Sequence, residues 1–121
     1  MKLHIVALAA LLAIASPTLA HEVEKGPNGG RVADAGEYHV ELVPNGTAID
    51  VYITDSKDQP APAGFKGVAI LLVEGKQQRI TLESTGPGRL SGKAPIATPA
   101  TVKGVVQLTA PQGKSVMARF Q

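Results

Sequence analysis

The sequence contains no cysteine and no tryptophan. The first absence excludes disulfides, thiolate metal sites, thiol nucleophiles and redox pairs. Aromatic residues make up only 3% of the chain, which removes the stacking platforms that single-stranded nucleic acids and most sugars require. No nucleic-acid partner is expected. Beyond the first twenty residues no stretch shows the apolar spacing of a helix. The G-x-S-x-G elbow, the H-E-x-x-H zinc motif and the P-loop are missing too, and only His21 and His39 follow position 20, so an enzyme is not expected.

A membrane-length apolar run is also missing. The first twenty residues, MKLHIVALAALLAIASPTLA, carry Lys2 ahead of an apolar stretch from Leu3 to Ala15, then Thr18 and Ala20 before His21. This is the pattern of a cleavable secretory signal helix. Its apolar part is shorter than the roughly 18–20 residues of a spanning helix, and no cysteine precedes the cleavage point, so no stable membrane anchor is expected after processing. The processed chain would begin at His21 and work in the periplasm. Without Lys2 its formal charge falls from +2 to about +1, so the basic pI says little about partners.

What remains has the length of one domain. It divides into an N-terminal tail with a glycine-rich turn, residues 21–36, and a β-domain over 37–121. In "EYHVELV", Tyr38, Val40 and Leu42 alternate with Glu37, His39 and Glu41, the period of a half-buried strand. "TAIDVYITD" repeats that alternation after Asn45-Gly46. With Asn45 and Gly46 as a two-residue type I′ loop, Leu42 faces Ile49, His39 faces Tyr52 and Glu41 faces Asp50. "SKDQPAPAGF" reads as a loop, and "GVAILLVEGKQQRITLES" as a more buried hairpin turning near Glu74–Lys76. A short strand near Arg89–Gly92 and a last hairpin, "TVKGVVQLTA" and "SVMARFQ", complete the chain. In the last strand Val116, Ala118 and Phe120 should point inward, with Ser115, Met117 and Arg119 outward. Seven or eight short strands with turns every 8 to 12 residues predict an all-β fold, a small antiparallel β-sandwich.

Three features carry possible chemistry. Cleavage before His21 would free an α-amine beside its Nδ1, a nitrogen chelate that favours Cu(II) among divalent ions. In the register above, His39 would share a patch with Glu41, Asp50 and Tyr52, and two carboxylates facing each other call for a cation. Met117, outward by parity, offers a soft thioether for Cu(I). Ordinary surface roles account for each of these taken alone. "GPNGG" precedes a strand and lacks the lysine and hydroxyl of a phosphate cradle, so it reads as a turn.

"GPNGGRV", the "AGEYHVELV" strand, "VYITD" with "QPAP", and the closing Leu90-Ser91-Gly92 resemble the small N-terminal β-domain of periplasmic adaptor subunits of heavy-metal efflux pumps of the resistance-nodulation-division type, and related stand-alone exported proteins. The resemblance spans Gly26 to Gly92. It implies a periplasmic role in handling transition-metal ions, as a binder or as a presenter of metal to an efflux system, without catalysis. Many members of that family carry a histidine inside the motif where this chain has Pro27 and Asn28, and the helical hairpin of an adaptor is missing here.

The sequence therefore predicts a periplasmic transition-metal binder, copper before zinc, with His21 and His39 as ligands, Glu41 and Asp50 in support and Met117 as an outlying thioether. Binding would weaken as pH falls through the ordinary histidine range, about 6.5, because ligands must be deprotonated. The alternative is a metal-free interaction module that docks onto an envelope protein through a sheet edge.

Overall fold

The computed structural model describes residues 24–121. The expected signal segment and His21 lie outside the described residues. Nine strands form: β1 (Glu24–Lys25), β2 (Arg31–Ala35), β3 (Tyr38–Asn45), β4 (Ala48–Thr54), β5 (Lys66–Val73), β6 (Lys76–Gly86), β7 (Arg89–Lys93), β8 (Lys103–Thr109) and β9 (Ser115–Phe120). Among the described residues there is no helix. The fold is all-β, but it is not a sandwich of seven or eight strands. The strands make one antiparallel sheet in the order β1-β2-β3-β4-β7-β6-β5-β8-β9, curled into a half-barrel. Alternation places one face of every strand inward in either architecture, so the residue pattern alone does not separate them.

The curl turns on β6. Its first part pairs with β5 as far as Gly67 opposite Leu82, and its last part, from Glu83, pairs with β7 across a register shift between Ser84 and Gly86. One strand thereby serves two directions of the sheet, and the shift supplies the bend. The two ends of the sheet then approach each other. Arg31 of β2 donates from Nη1 to the Val102 carbonyl and from Nη2 to the Gln121 carbonyl, at 2.5 and 2.6 Å. Its guanidinium also lies 5.9 Å from the centre of the Phe120 ring. Side chains hold this seam, and no strand ladder joins β2 to β9 among the described residues.

Inside the curl, Val40, Leu42, Ile49, Val51, Leu71, Leu82, Val106 and Phe120 are buried, and Tyr38 meets Phe65 edge-on at 5.3 Å. On β9 Ala118 and Phe120 are buried and Val116 half-buried, with Ser115, Met117 and Arg119 outside or nearly so. The expected parity of that strand holds.

The β3–β4 register differs from the expected one. Leu42 faces Val51, Glu41 faces Tyr52, His39 faces Thr54 and Asp50 faces Val43. Gly46 and Thr47, not Asn45 and Gly46, form the loop. Gly46 takes a φ of 61° and Thr47 does not have positive φ, which fits a type II′ turn with glycine in first place. The slip moves each partner by two positions, and a period-two pattern is blind to that. Residues assigned to a tail are also built into the sheet, since Glu24–Lys25 and Arg31–Ala35 pair with each other and β2 pairs with β3.

One turn design recurs three times. In Gly26–Gly30, Asp55–Gln59 and Ala110–Lys114 the first residue's amide donates to the fifth residue's carbonyl, and the fourth amide donates to the first carbonyl. The fourth residue, Gly29, Asp58 or Gly113, has positive φ, the bulged three-residue hairpin loop. In the middle copy the Asp55 carboxylate accepts from the amides of Lys57 and Gln59, at 2.8 and 3.0 Å. Donation from Gln59, then from Lys57, holds the Asp55 carboxyl below the usual carboxylate range. A lowered folded value means that this contribution is present above the unfolded carboxylate range and is lost as pH falls through the folded value. In an acid titration followed by NMR, the Lys57 and Gln59 amides should shift at lower pH than amides beside ordinary carboxylates.

Candidate functional site

The outer face of β2, β3 and β4 gathers the polar chemistry. Antiparallel pairing puts Asp34 opposite His39, and His39 Nδ1 lies 2.7 Å from Asp34 Oδ1. A carboxylate only accepts, so Nδ1 donates to it, and in the neutral imidazole Nε2 is then the nitrogen with the free lone pair. The pair is exposed, at 42% for His39 and 69% for Asp34, so it adds little to stability. Beside it lies a groove of about 240 Å³, lined by His39, Tyr52, Val32 and the prolines at 27, 60 and 87.

Glu41 does not sit in the open. It is 3% exposed, because the Gly26–Gly30 turn folds down over it. Its Oε2 accepts from the amides of Asn28 and Gly30, both at 2.9 Å, and its Oε1 accepts from Asn28 Nδ2 at 2.8 Å. Three donors from one short loop converge on one carboxylate, a charge-assisted cap of the kind buried acids need. The glycines follow from this. A Cβ on Gly26 would collide with the Glu41 carboxyl, and one on Gly30 would collide with the Leu42 carbonyl. "GPNGG" is thus a turn shaped to hold a buried glutamate, and the carboxylate expected to support a metal is committed to that turn's backbone and to the Asn28 side chain.

Asp50 is also engaged. It accepts from the Ser91 hydroxyl, and Arg89 Nη2 lies 3.6 Å away, while the Arg89 guanidinium sits 5.5 Å from the centre of the Tyr52 ring. Glu41 and Asp50 therefore do not face each other, and the expected conflict of like charges does not arise. Met117 is 40% exposed on β9, opposite Gln107. Arg31 against Gln121 and Gly36 near Val116 run β9 along β2, so β2 lies between Met117 and β3. Among the described residues no three His, Asp or Glu side chains converge to hold an ion. The structure brings His39 to Asp34, a partner the sequence reading missed; Glu41 lines the same groove as His39 but is held by the loop, and Asp50 and Met117 are not among the groove's residues. The signal for Asp34 was the two-residue loop Gly36-Glu37, which sets Asp34 across from His39 once "RVADA" is taken as a strand.

Comparison with protein families, with curated proteins and with solved structures finds no match for this chain.

Proposed function

We propose that this chain is an exported, periplasmic transition-metal-binding protein of metal homeostasis or efflux, with copper preferred to zinc and His39 Nε2 as the anchoring ligand. The observation that carries this reading is the 2.7 Å contact between His39 Nδ1 and Asp34. A carboxylate on one imidazole nitrogen fixes the tautomer and aims the other nitrogen outward, the arrangement found behind metal-bound histidines. The strand pairing adds to it. Glu24 lies opposite Val32 and Lys25 opposite Arg31, so the chain enters β1 from the Asp34 side. His21 is three Cα steps before Glu24, at most about 11 Å away. A freed His21 amine and imidazole complete the set, in keeping with the resemblance to the metal-efflux adaptor domain.

The test is a Cu(II) titration of the chain beginning at His21, followed by calorimetry and electron spin resonance. Binding of one ion through several nitrogens is expected. His39→Ala should remove one nitrogen from the spectrum, and Asp34→Ala should weaken binding by about ten- to a hundredfold. Unchanged nitrogen coordination in His39→Ala overturns the reading.

The metal-free module is favoured by a different place. Beyond Gly67 and Leu82 the β5–β6 ladder stops, and a groove of about 550 Å³ opens in the fork, lined by Phe65, Gly67, Leu82 and Ser84. An unpaired strand side next to an apolar groove suits an added strand from an envelope protein. Absence of any copper heat from the processed chain would favour this reading.

A further inference from the structure

The sequence contains two Asn-Gly pairs, Asn28-Gly29 and Asn45-Gly46, and the fold treats them in opposite ways. Asn-Gly is the dipeptide most open to attack by the following amide nitrogen on the asparagine side chain, because glycine puts no Cβ in the way. At position 28 every participant is restrained. Asn28 Nδ2 donates to Glu41 Oε1 at 2.8 Å, its own amide donates to Glu41 Oε2 at 2.9 Å, and the Gly29 amide donates to the Gly26 carbonyl at 3.2 Å. At position 45 the backbone pairs with Ala48, but the side chain and the following amide have no such restraint. Asn45 and Gly46 are exposed at the tip of the β3–β4 hairpin. Among the described residues, neither the Asn45 side chain nor the Gly46 amide has a hydrogen-bond partner, and open space surrounds Gly46.

We propose that Asn45 is a site of spontaneous succinimide formation and deamidation, from which the Glu41 clamp protects Asn28. The Gly46 nitrogen bonds to Cγ of Asn45 while the bond from Cγ to the side-chain nitrogen breaks. The Gly46 amide proton leaves with that nitrogen as ammonia. Water then opens the ring at either carbonyl, which leaves aspartate or isoaspartate at position 45 and one more negative charge. The reaction needs no reagent but water.

The position of the turn gives the modification a structural reach. The Gly46 carbonyl accepts from the Thr98 amide at 2.9 Å and the Thr47 carbonyl from the Ala94 amide at 2.7 Å. The hairpin tip therefore anchors the proline-flanked connection from β7 to β8, in which Thr98 is buried. Isoaspartate lengthens the main chain by one methylene at that anchor, and residues 94–98 lose their partner.

The experiment is incubation of the full chain in warm, mildly alkaline buffer, followed by peptide mapping by mass spectrometry with separation of the isoaspartate form. In the folded chain, conversion at Asn45 should exceed conversion at Asn28 by at least about tenfold, the factor that one charge-assisted hydrogen bond supplies. In chain unfolded by urea the two sites should convert at similar rates. Glu41→Gln should raise conversion at Asn28 without changing Asn45, and Gly46→Ala should suppress Asn45 alone. Hydrogen exchange should rise at Ala94 and Thr98 in the converted fraction. Equal conversion at both sites in the folded chain, or a folded Asn45 as inert as Asn28, overturns the proposal.

Discussion

Glu41→Ala should lower the free energy of unfolding by about 3 kcal/mol, read as a drop in urea midpoint at an unchanged slope. The size follows from what is left behind. Three N–H donors, two on Asn28 and one on Gly30, would lose their acceptor in a place the turn itself shields from water. Each such donor costs about 1–3 kcal/mol when its partner is removed, less whatever water recovers. Glu41→Gln keeps the shape and one acceptor oxygen but turns an amide nitrogen toward donors, so it should lose about half as much. A Glu41→Ala chain within about 1 kcal/mol of the parent would show that the loop holds its form without the carboxylate.

Gly30→Ala should be as severe, at about 3 kcal/mol or outright failure to fold. The new methyl would lie against the Leu42 carbonyl and 2.7 Å from Val43 Cγ2, so β2 could not pair with β3 as it does. The neighbouring Gly29 is the control. It has a φ of 81° and nothing within 4 Å of an added Cβ, so Gly29→Ala meets only left-handed backbone strain, about 1 kcal/mol. Thermal melts of the two variants separate close approach from conformational freedom. Equal losses would refute the division of labour among these glycines.

The strands that carry alternation were legible. β3, β4 and β9 bury or half-bury the residues their period-two pattern assigns inward, and the turn near Glu74-Gly75 lies where that dipeptide suggests. β2 was hidden, because "RVADA" spends an arginine and an aspartate in five residues, the first absorbed by contacts far along the chain and the second across the hairpin to the next strand. Arg31 finds carbonyls at Val102 and Gln121, and Asp34 finds His39.

The candidate site was legible at His39 and misread at Glu41. An acid on the outward parity of a strand normally meets water. Here a turn thirteen residues earlier closes over it, and periodicity within one strand carries no information about such a lid. The two-position register slip had the same origin: both pairings bury the same face, and only the backbone torsion preferred at Gly46-Thr47 separates them.

The junction between the first and last long strands gives the half-barrel a built-in hinge line. Elsewhere, parting two neighbours means breaking a row of main-chain bonds. At this one place it means releasing a single guanidinium fork and a few side-chain contacts, so the lowest-energy opening of the fold runs lengthwise along that gap and leaves every hairpin intact. Breathing of that kind would expose the inward faces of Ala33 and Val116 while Asp34 on β2 and His39 on β3, joined by an intact ladder, keep their mutual distance.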